Sequence, residues 1–258
     1  MEVMHFWLPH LASQPVPVVH QKLINDLHSH HHFDHTGDPS TFPPSTSLIV
    51  GPGFKKEFVP GYPTKPDSGV SESAYQGRDL REISFAGSKL IIGRCNAVDF
   101  FGDGSFYLLD TPGHAVGHMC ALCRTTAGKE GEEDTFIFLG GDCAHHGAEF
   151  RPTPYLPLPN EISPSPIPHA HGGSVCPGSL LASVHRLYPS AEAATEPFFM
   201  ASETSAEDVE AARVSVGKMS EFDAQGNVFT VVAHDASLLD VVGIFPKAVC
   251  IFSNDFIL

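Results

Sequence analysis

The chain has 258 residues, 42% of them hydrophobic, and its mean hydropathy is −0.02. This composition is typical of a water-soluble chain that buries a sizeable core, and we expect one domain of mixed α and β structure over residues 1–258. Aspartate and glutamate total 30 against 15 lysines and arginines, a net charge of −15 with histidine neutral. Such a surface repels nucleic-acid phosphates and anionic lipids, which argues against nucleic-acid and membrane partners.

The start of the chain predicts neither export nor membrane insertion. Residues 1–21 contain no lysine or arginine, and three prolines interrupt their apolar residues. They therefore match neither a signal peptide nor a transmembrane helix. Six cysteines without a disulfide-framework spacing indicate free thiols in a reducing compartment, so we expect a cytoplasmic protein. Cys120 and Cys123 are three apart in a strand-like run, which predicts that they face opposite sides of a sheet.

The first concentration of chemical groups is the sequence His30-His31-His32-Phe33-Asp34-His35. Side chains two apart in an extended segment share a face, so His30, His32 and Asp34 can point into one pocket. A turn after Asp34 would bring His35 to a second point beside the first. Imidazole and carboxylate ligands in this arrangement suit two divalent metal ions, with zinc the first expectation.

A less specific interpretation competes with this one. The chain has 16 histidines, and a histidine cluster can be a solvated polar tract or an adventitious metal binder. The spacing of the cluster favours a dedicated site instead. Two neighbouring histidines are not required by the pattern, and we expect His28 and His31 at the surface or supporting the ligands through hydrogen bonds.

Six residues cannot complete two coordination spheres, so a dinuclear site requires further ligands downstream. Three strand-like runs supply them, because each is followed by a loop that carries a histidine or an aspartate. The runs and their candidate ligands are residues 106–110 with His114, residues 135–139 with Asp142, and residues 228–233 with His234. Loops at strand ends are where a rigid scaffold usually presents functional groups.

Between these motifs the pattern predicts further short strands. Apolar runs bounded by glycine indicate a strand at residues 47–51 and a β-meander over residues 80–101. The meander would lead antiparallel into the strand at Tyr107. Residues 62–77 are rich in proline, serine, glycine and aspartate, and we expect a long surface loop there.

Two helices are predicted in the second half of the chain. Apolar residues at helical spacing predict a helix over residues 177–188 with a buried stripe of Leu180, Leu181, Val184 and Leu187. A capping-box pattern at residues 204–207 predicts the start of a second helix. Its buried stripe would comprise Val209, Ala212, Val216 and Met219.

Four motifs in this order, His-x-His-x-Asp-His, Thr-Pro-Gly-His-x-x-x-His, Gly-Gly-Asp and Ala-His-Asp, resemble those of the metallo-β-lactamase superfamily. The match runs from about His28 to Asp235. It is similar to the lactonases that open N-acyl homoserine lactones and to fungal lactonase-like hydrolases. The resemblance implies an αββα sandwich. It also implies one ion on His30, His32 and His114, a second on Asp34, His35 and His234, and Asp142 as the bridge between them.

The resemblance further implies an activity on a small molecule. A hydroxide that bridges two divalent ions would open a lactone or a related cyclic ester or amide. Asp34 would act as the catalytic residue that orients the water and passes its proton to the leaving group. His118 is expected either to hold the loop or a ligand by hydrogen bonding or to be a structural histidine with its hydrogen bonds satisfied. His145 or His146 is expected to contact substrate or support a ligand. An ester or thioester hydrolase of the same fold is the nearest alternative.

The two ends of the chain suggest a second alternative, a metal-binding family member without turnover. Only 29 residues precede His30, fewer than family members usually place before the first motif, and 24 follow His234. A short N-terminal region predicts that one sheet lacks some strands and exposes an edge. Either another chain covers that edge, as in a homo-oligomer, or the short ends disable the site.

Overall fold

The computed structural model describes residues 25–129, 131–163, 165 and 175–238. The expectations for residues 1–21 and for Cys250 lie outside the described residues. The strands are β1 (Asn25–Leu27), β2 (Ser47–Val50), β3 (Leu80–Glu82), β4 (Ile91–Ile92), β5 (Cys95–Asp99), β6 (Phe106–Asp110), β7 (Met119–Thr126), β8 (Thr135–Leu139), β9 (Glu161–Ile162), β10 (Cys176–Pro177) and β11 (Val228–Val231).

The helices are short, with one exception. They are α1 (Phe33–Thr36), α2 (Phe54–Phe58), α3 (Gly178–Ala182) and α4 (Val209–Asp223). Single 3₁₀ turns cover Pro39–Thr41, Glu72–Ala74, Gly147–Glu149, Ala191–Ala194 and Ala236–Leu238. Within the described ranges no helix is both long and apolar enough to cross a membrane.

Six strands form the larger sheet in the order β11-β8-β7-β6-β5-β4. Neighbours pair antiparallel except β11, which runs parallel to β8. Side chains alternate between the faces, so Leu108 packs into one apolar cluster and its neighbour Leu109 into another. The same alternation places Cys120 and Cys123 on opposite faces, as predicted, and every cysteine that the structure describes is a free thiol.

Four layers are stacked around this sheet. Helix α4 covers one face, where Met219 packs with Phe138. On the other face lies a smaller sheet of β1, β2 and β3, all parallel. Ile49 of β2 and Leu108 of β6 belong to the same buried cluster between the sheets. Helix α2 covers the outer side of the smaller sheet through Phe54. The arrangement is the predicted αββα sandwich.

The predicted meander over residues 80–101 is wrong for its first strand. β3 pairs in parallel with β2, Leu48 opposite Leu80, and belongs to the smaller sheet. Only β4 and β5 continue antiparallel into β6. The apolar residues that follow β3, Ile83 and Phe85, are buried between the two sheets, so the apolar run is a buried segment of the other sheet.

The predicted helix over residues 177–188 is mostly absent, since only Gly178–Ala182 is helical. The predicted stripe is not a core stripe either, because Leu180 is 47% and Val184 72% exposed. Beyond α3 the ring of His185 accepts a hydrogen bond from the Leu187 N–H. A side chain that takes a backbone donor competes with the helix in this way.

Helix α4 begins later than the capping box at residues 204–207 predicts. Its N-cap is Asp208, whose carboxylate accepts a hydrogen bond from the Ala211 N–H. Glu207 accepts the N–H of Val116 at 2.9 Å instead. The start of α4 is thereby tied to the loop that carries His114. The predicted stripe of this helix is buried at Ala212, Val216 and Met219, and Val209 is partly buried.

Candidate metal centre

Strand direction explains why distant ligands meet. β6 and β8 both pair antiparallel with β7, and β11 runs parallel to β8. These three strands therefore end at the same edge of the larger sheet, where they are followed by His114, Asp142 and His234. The segment after β1 supplies His30 and His32, and α1 supplies Asp34 and His35. The structure brings all seven predicted ligands together at this edge.

Three imidazoles form a first group of converging nitrogens. His30 Nε2 lies 2.9 Å from His32 Nδ1. His114 Nε2 lies 3.2 Å from the former atom and 3.1 Å from the latter. The carboxylate oxygen Oδ2 of Asp142 is 3.4 Å from His114 Nε2 and 3.7 Å from His30 Nε2. These four side chains could hold one metal ion.

The protonation of His114 follows from its second contact. Its Nδ1 lies 2.8 Å from the carbonyl oxygen of Ser205. A carbonyl only accepts, so we assign the proton to Nδ1, which leaves a lone pair on Nε2 facing the other two rings. Burial lowers the pKa of His114 to about 3 and also lowers the pKa of His30. Both rings are therefore neutral at pH 7, as a metal ligand must be.

The second group comprises Asp34, His35 and His234. Asp34 Oδ2 lies 3.5 Å from His35 Nε2 and 3.5 Å from His234 Nε2. Asp142 joins this group to the first, because its Oδ1 is 3.1 Å from His35 Nε2 and its Oδ2 is 3.3 Å from His234 Nε2. Asp142 therefore lies between the two groups and within reach of both.

The donor set fits divalent ions. His35 Nε2 and Asp142 Oδ1 are buried and lack a hydrogen-bonding partner among the described residues, although they lie only 3.1 Å apart. Two ligands bound about 2.1 Å from one tetrahedral ion lie about 3.4 Å from each other, close to the separations found here. Burial opposes the charge on Asp142, but the imidazoles of His145 and His35 hold its pKa well below the usual range. A deprotonated carboxylate surrounded by imidazoles is a donor set that divalent ions accept.

His118 is buried beside the ligands and fixes one of them. Its Nδ1 lies 2.9 Å from the carbonyl oxygen of Thr111, so it donates there, and its Nε2 accepts the backbone N–H of Asp142 at 3.2 Å. Burial lowers its pKa to about 4, which keeps this acceptor unprotonated. With both nitrogens engaged, His118 orients the segment that carries Asp142.

The side chains of the adjacent His145 and His146 point in different directions. His145 turns towards the ligands, with its Nε2 3.5 Å from Asp142 Oδ2. The carboxylates of Asp142 and Glu149 raise the pKa of His145 to about 9, so the ring is protonated at pH 7 in the metal-free chain and would have to release that proton to bind a metal ion. His146 instead accepts the N–H of Ala148, and its ring lies edge-on to Phe199. The structure therefore places only the first of the two at the cluster.

Further polar side chains lie around the cluster. His28, for which the sequence left a surface position or a supporting role open, is buried, and its Nε2 lies 3.4 Å from Asp26 Oδ2. Ligand atoms of His31, His32 and Glu207 come within 4.8 Å of one another. Glu207 was interpreted as part of a helix-capping box that begins at Thr204. Nothing else in the sequence predicted that its side chain would lie beside these histidines.

A cleft of about 420 Å³ opens directly onto the two groups. Asp34, His145 and His234 line it, together with residues 203–207 before α4. The segment 203–207 is fixed to the loop that carries His114, because the Glu207 N–H donates to the carbonyl oxygen of His114. The cleft gives a small molecule direct access to the candidate metal centre.

The class of protein follows from the fold. An N-acyl homoserine lactone hydrolase, solved with its product N-hexanoyl-L-homoserine bound at the catalytic metal centre, superposes with a TM-score of 0.51. The match covers 88% of this chain and 62% of that chain at 16% identity. The chain thus has the fold of the metallo-β-lactamase superfamily, to which such lactonases belong.

Sequence comparison leads to particular relatives. The γ-lactamase FDB1 of Fusarium pseudograminearum is 52% identical over 222 residues, 85% of this chain and 51% of the relative. The metallo-hydrolase mfmC of Annulohypoxylon moriforme is 48% identical over 222 residues, 86% of this chain and 55% of the relative. The chain therefore spans about half the length of these curated relatives. No family model matches the sequence. The resemblance predicted from the four motifs is confirmed.

Proposed function

We propose that the chain is a metal-dependent hydrolase that opens a lactone or a related cyclic ester or amide. One observation carries the proposal: Asp142 lies between two groups of ligand-type side chains at the floor of an open cleft. The similarity to a γ-lactamase supports a small ring as substrate, and the similarity to a metallo-hydrolase supports metal-dependent hydrolysis. A lactonase among the structures of the same fold supports ring opening as the reaction.

In this proposal two divalent ions, zinc by first expectation, occupy the two groups. His30, His32 and His114 would hold the first ion, and Asp34, His35 and His234 the second, with Asp142 shared. When bound, such ions supply a water of lowered pKa at neutral pH and polarise the carbonyl that is attacked.

The residues of the chain then divide the remaining tasks. The side chain of Asp34 is 26% exposed, whereas that of Asp142 is 4% exposed and has both oxygens close to imidazoles. Both carboxylates line the cleft, but Asp34 is the more exposed of the two and has the room to orient the attacking water and receive its proton. As the ring opens, Asp34 would return that proton to the departing oxygen or nitrogen. His118 holds the backbone of Asp142 in place throughout.

Two alternative functions are consistent with the same residues. An ester or thioester hydrolase would use the cleft and the ligands in the same way, and it differs only in having an open-chain substrate. A metal-binding member without turnover would keep the ligands but lack a competent substrate site. Both alternatives predict metal binding, so metal content alone does not distinguish them from the ring-opening enzyme.

The test combines metal analysis with turnover. Elemental analysis of the purified chain should give about two equivalents. A γ-lactone, a γ-lactam and an open-chain thioester would be assayed before and after removal of metal with a chelator. Chelator-sensitive opening of either ring supports the proposal, whereas turnover of the thioester alone supports the alternative hydrolase. Two equivalents without any turnover would contradict the enzymatic proposal, and less than half an equivalent would contradict the metal centre itself.

A further inference from the structure

The geometry points to His145 as an eighth metal ligand, with Glu149 as the residue that positions it. This inference rests on the proposed metal centre and extends its ligand set beyond the seven residues that the motifs supply. It concerns a side chain for which the sequence left two roles open, substrate contact or support of a ligand.

The first argument is distance. Oxygen Oδ2 of Asp142 is surrounded by the Nε2 atoms of four imidazoles: His234 at 3.3 Å, His114 at 3.4 Å, His145 at 3.5 Å and His30 at 3.7 Å. The distance to His145 falls within the range set by the three proposed ligands. It exceeds the 2.7–3.2 Å of an ordinary N–H···O hydrogen bond, but it matches the separation of about 3.4 Å between two ligands of one ion.

The second argument is the direction of the ring. The ring of His145 stacks on that of His234, with centroids 5.5 Å apart and an angle of 17° between the planes. Its centroid is also 4.9 Å from that of His114. His145 therefore lies between a proposed ligand of the first ion and a proposed ligand of the second, with its Nε2 turned to the shared carboxylate. A histidine that only lined the cleft would not need this alignment.

The third argument is the carboxylate on the far side of the ring. Glu149 Oε2 accepts the backbone N–H of His145 at 3.0 Å and lies 3.9 Å from its Nδ1. A ligand histidine usually presents its second nitrogen to a carboxylate or carbonyl that fixes the ring. His114 has such a partner in the carbonyl oxygen of Ser205. Glu149 lies on the corresponding side of His145, where its carboxylate is held by the backbone N–H of His145 and is 3.9 Å from Nδ1, too far for a hydrogen bond to the ring. Its negative charge favours a cation at the ring.

The test measures metal affinity rather than turnover. Wild type, His145→Ala, Glu149→Gln and Glu149→Asp would be titrated with Zn²⁺ against a chromogenic chelator, and with Co²⁺ while the ligand-field absorption is recorded. The adjacent residue supplies a matched control: His146→Asn removes an imidazole that faces Phe199 and keeps a side-chain acceptor for the Ala148 N–H.

We expect His145→Ala to lower the affinity for one of the two ions about 10- to 100-fold and to change the Co²⁺ spectrum. Glu149→Gln should lower the affinity for the same ion about tenfold, because the ring loses the negative charge beside it. Glu149→Asp, which keeps the charge, should recover part of that loss. His146→Asn should leave both affinities unchanged.

The outcomes separate this inference from the proposed function. If wild type binds two ions and His145→Ala binds them with unchanged affinity and an unchanged Co²⁺ spectrum, His145 is not a ligand, but the proposed metal centre stands. If wild type binds fewer than two ions, the proposed function fails first. Melting curves of the metal-free variants report folding, and should His145→Ala not fold, His145→Gln and the two Glu149 variants decide the question with the same measurements.

Discussion

Arg151 forms a bidentate ion pair with Asp223, in which its Nε donates to Oδ2 and its Nη2 donates to Oδ1, both at 2.6 Å. The pair ties the segment that follows Asp142 to the last residue of α4. The carboxylate is 3% exposed, so removal of its charge would leave a guanidinium in a partly buried position without its partner.

We therefore expect Asp223→Asn to lower the free energy of unfolding by about 3 kcal/mol, as measured by denaturant titration. An exposed ion pair in α4, Arg213 with Glu210, is the matched control. Glu210→Gln should change stability by less than about 0.5 kcal/mol. Equal effects of the two substitutions would show that the buried pair has no special weight.

The two carboxylates of the candidate centre should differ in how many ions they control. Asp142 lies between both groups, whereas Asp34 belongs to one. We expect Asp142→Ala to lose both equivalents of metal on dialysis and Asp34→Asn to retain about one. Elemental analysis of the two purified variants beside wild type checks this. Two equivalents retained by Asp142→Ala would contradict a bridging position.

Gly51, directly after β2, packs its backbone against the loop that carries His114 and His118. A Cβ atom on Gly51 would lie 1.8 Å from the carbonyl oxygen of Gly117, which precedes His118. Backbone cannot yield as a flexible side chain can, so Gly51→Ala must push the two segments apart. We expect a loss of at least about 2 kcal/mol in unfolding free energy together with weaker metal binding, measured by calorimetry with and without Zn²⁺.

Gly217 is a glycine at which an added methyl group should stabilise the fold, and the same calorimetry measures it. It lies inside α4, and a Cβ atom there meets nothing within 4 Å among the described residues. Gly217→Ala should therefore raise the free energy of unfolding by about 0.5–1 kcal/mol through helix propensity alone. A destabilised variant would mean that α4 packs more closely at this point than the structure shows.

The last prediction concerns alkaline pH. Cys95 is fully buried in β5, and burial raises the pKa of its thiol to about 12 from an ordinary value of 9.0. Below pH 9 both folded and unfolded chains keep the proton, so this thiol has no effect there. Above pH 9 the unfolded chain releases its proton first, and stability falls as the pH rises from 9 towards 12.

Cys95→Ala should flatten that fall. The measurement is the denaturation midpoint of both proteins between pH 8 and pH 11, and the slope rather than the absolute midpoint is compared, because the substitution also removes buried volume. Some slope should remain in the variant, since burial also raises the pKa of Cys120. Parallel slopes for the two proteins would contradict the assignment.

The sequence predicted those parts of the molecule that local pattern controls. The spacing of His30, His32 and Asp34 and the position of ligands after strands are local features, and the structure brings these residues together. The alternation that separates Cys120 from Cys123 is local as well. Seven candidate ligands could be named for this reason before any contact was known.

What the sequence did not reveal depends on contacts between distant segments. The parallel pairing of β3 with β2 has no local signal, because a short apolar run suits either sheet. Ser205 and Glu149 support His114 and His145 through a carbonyl and a loop carboxylate, groups that occur everywhere along a chain. Their roles become visible only when the loops are placed.

The pairing of β11 with β8 also affects the order in which the candidate ligands come together during synthesis of the chain. A nascent polypeptide translated as far as Asp142 already contains every side chain of the first group. His234 is translated much later and reaches the second group only when β11 joins the border of the sheet. Because the amino-terminal part of a protein emerges first from the ribosome, the ligands for one ion are all synthesised before the last ligand for the other. A message cut short between the two would therefore still encode all four side chains of the first group.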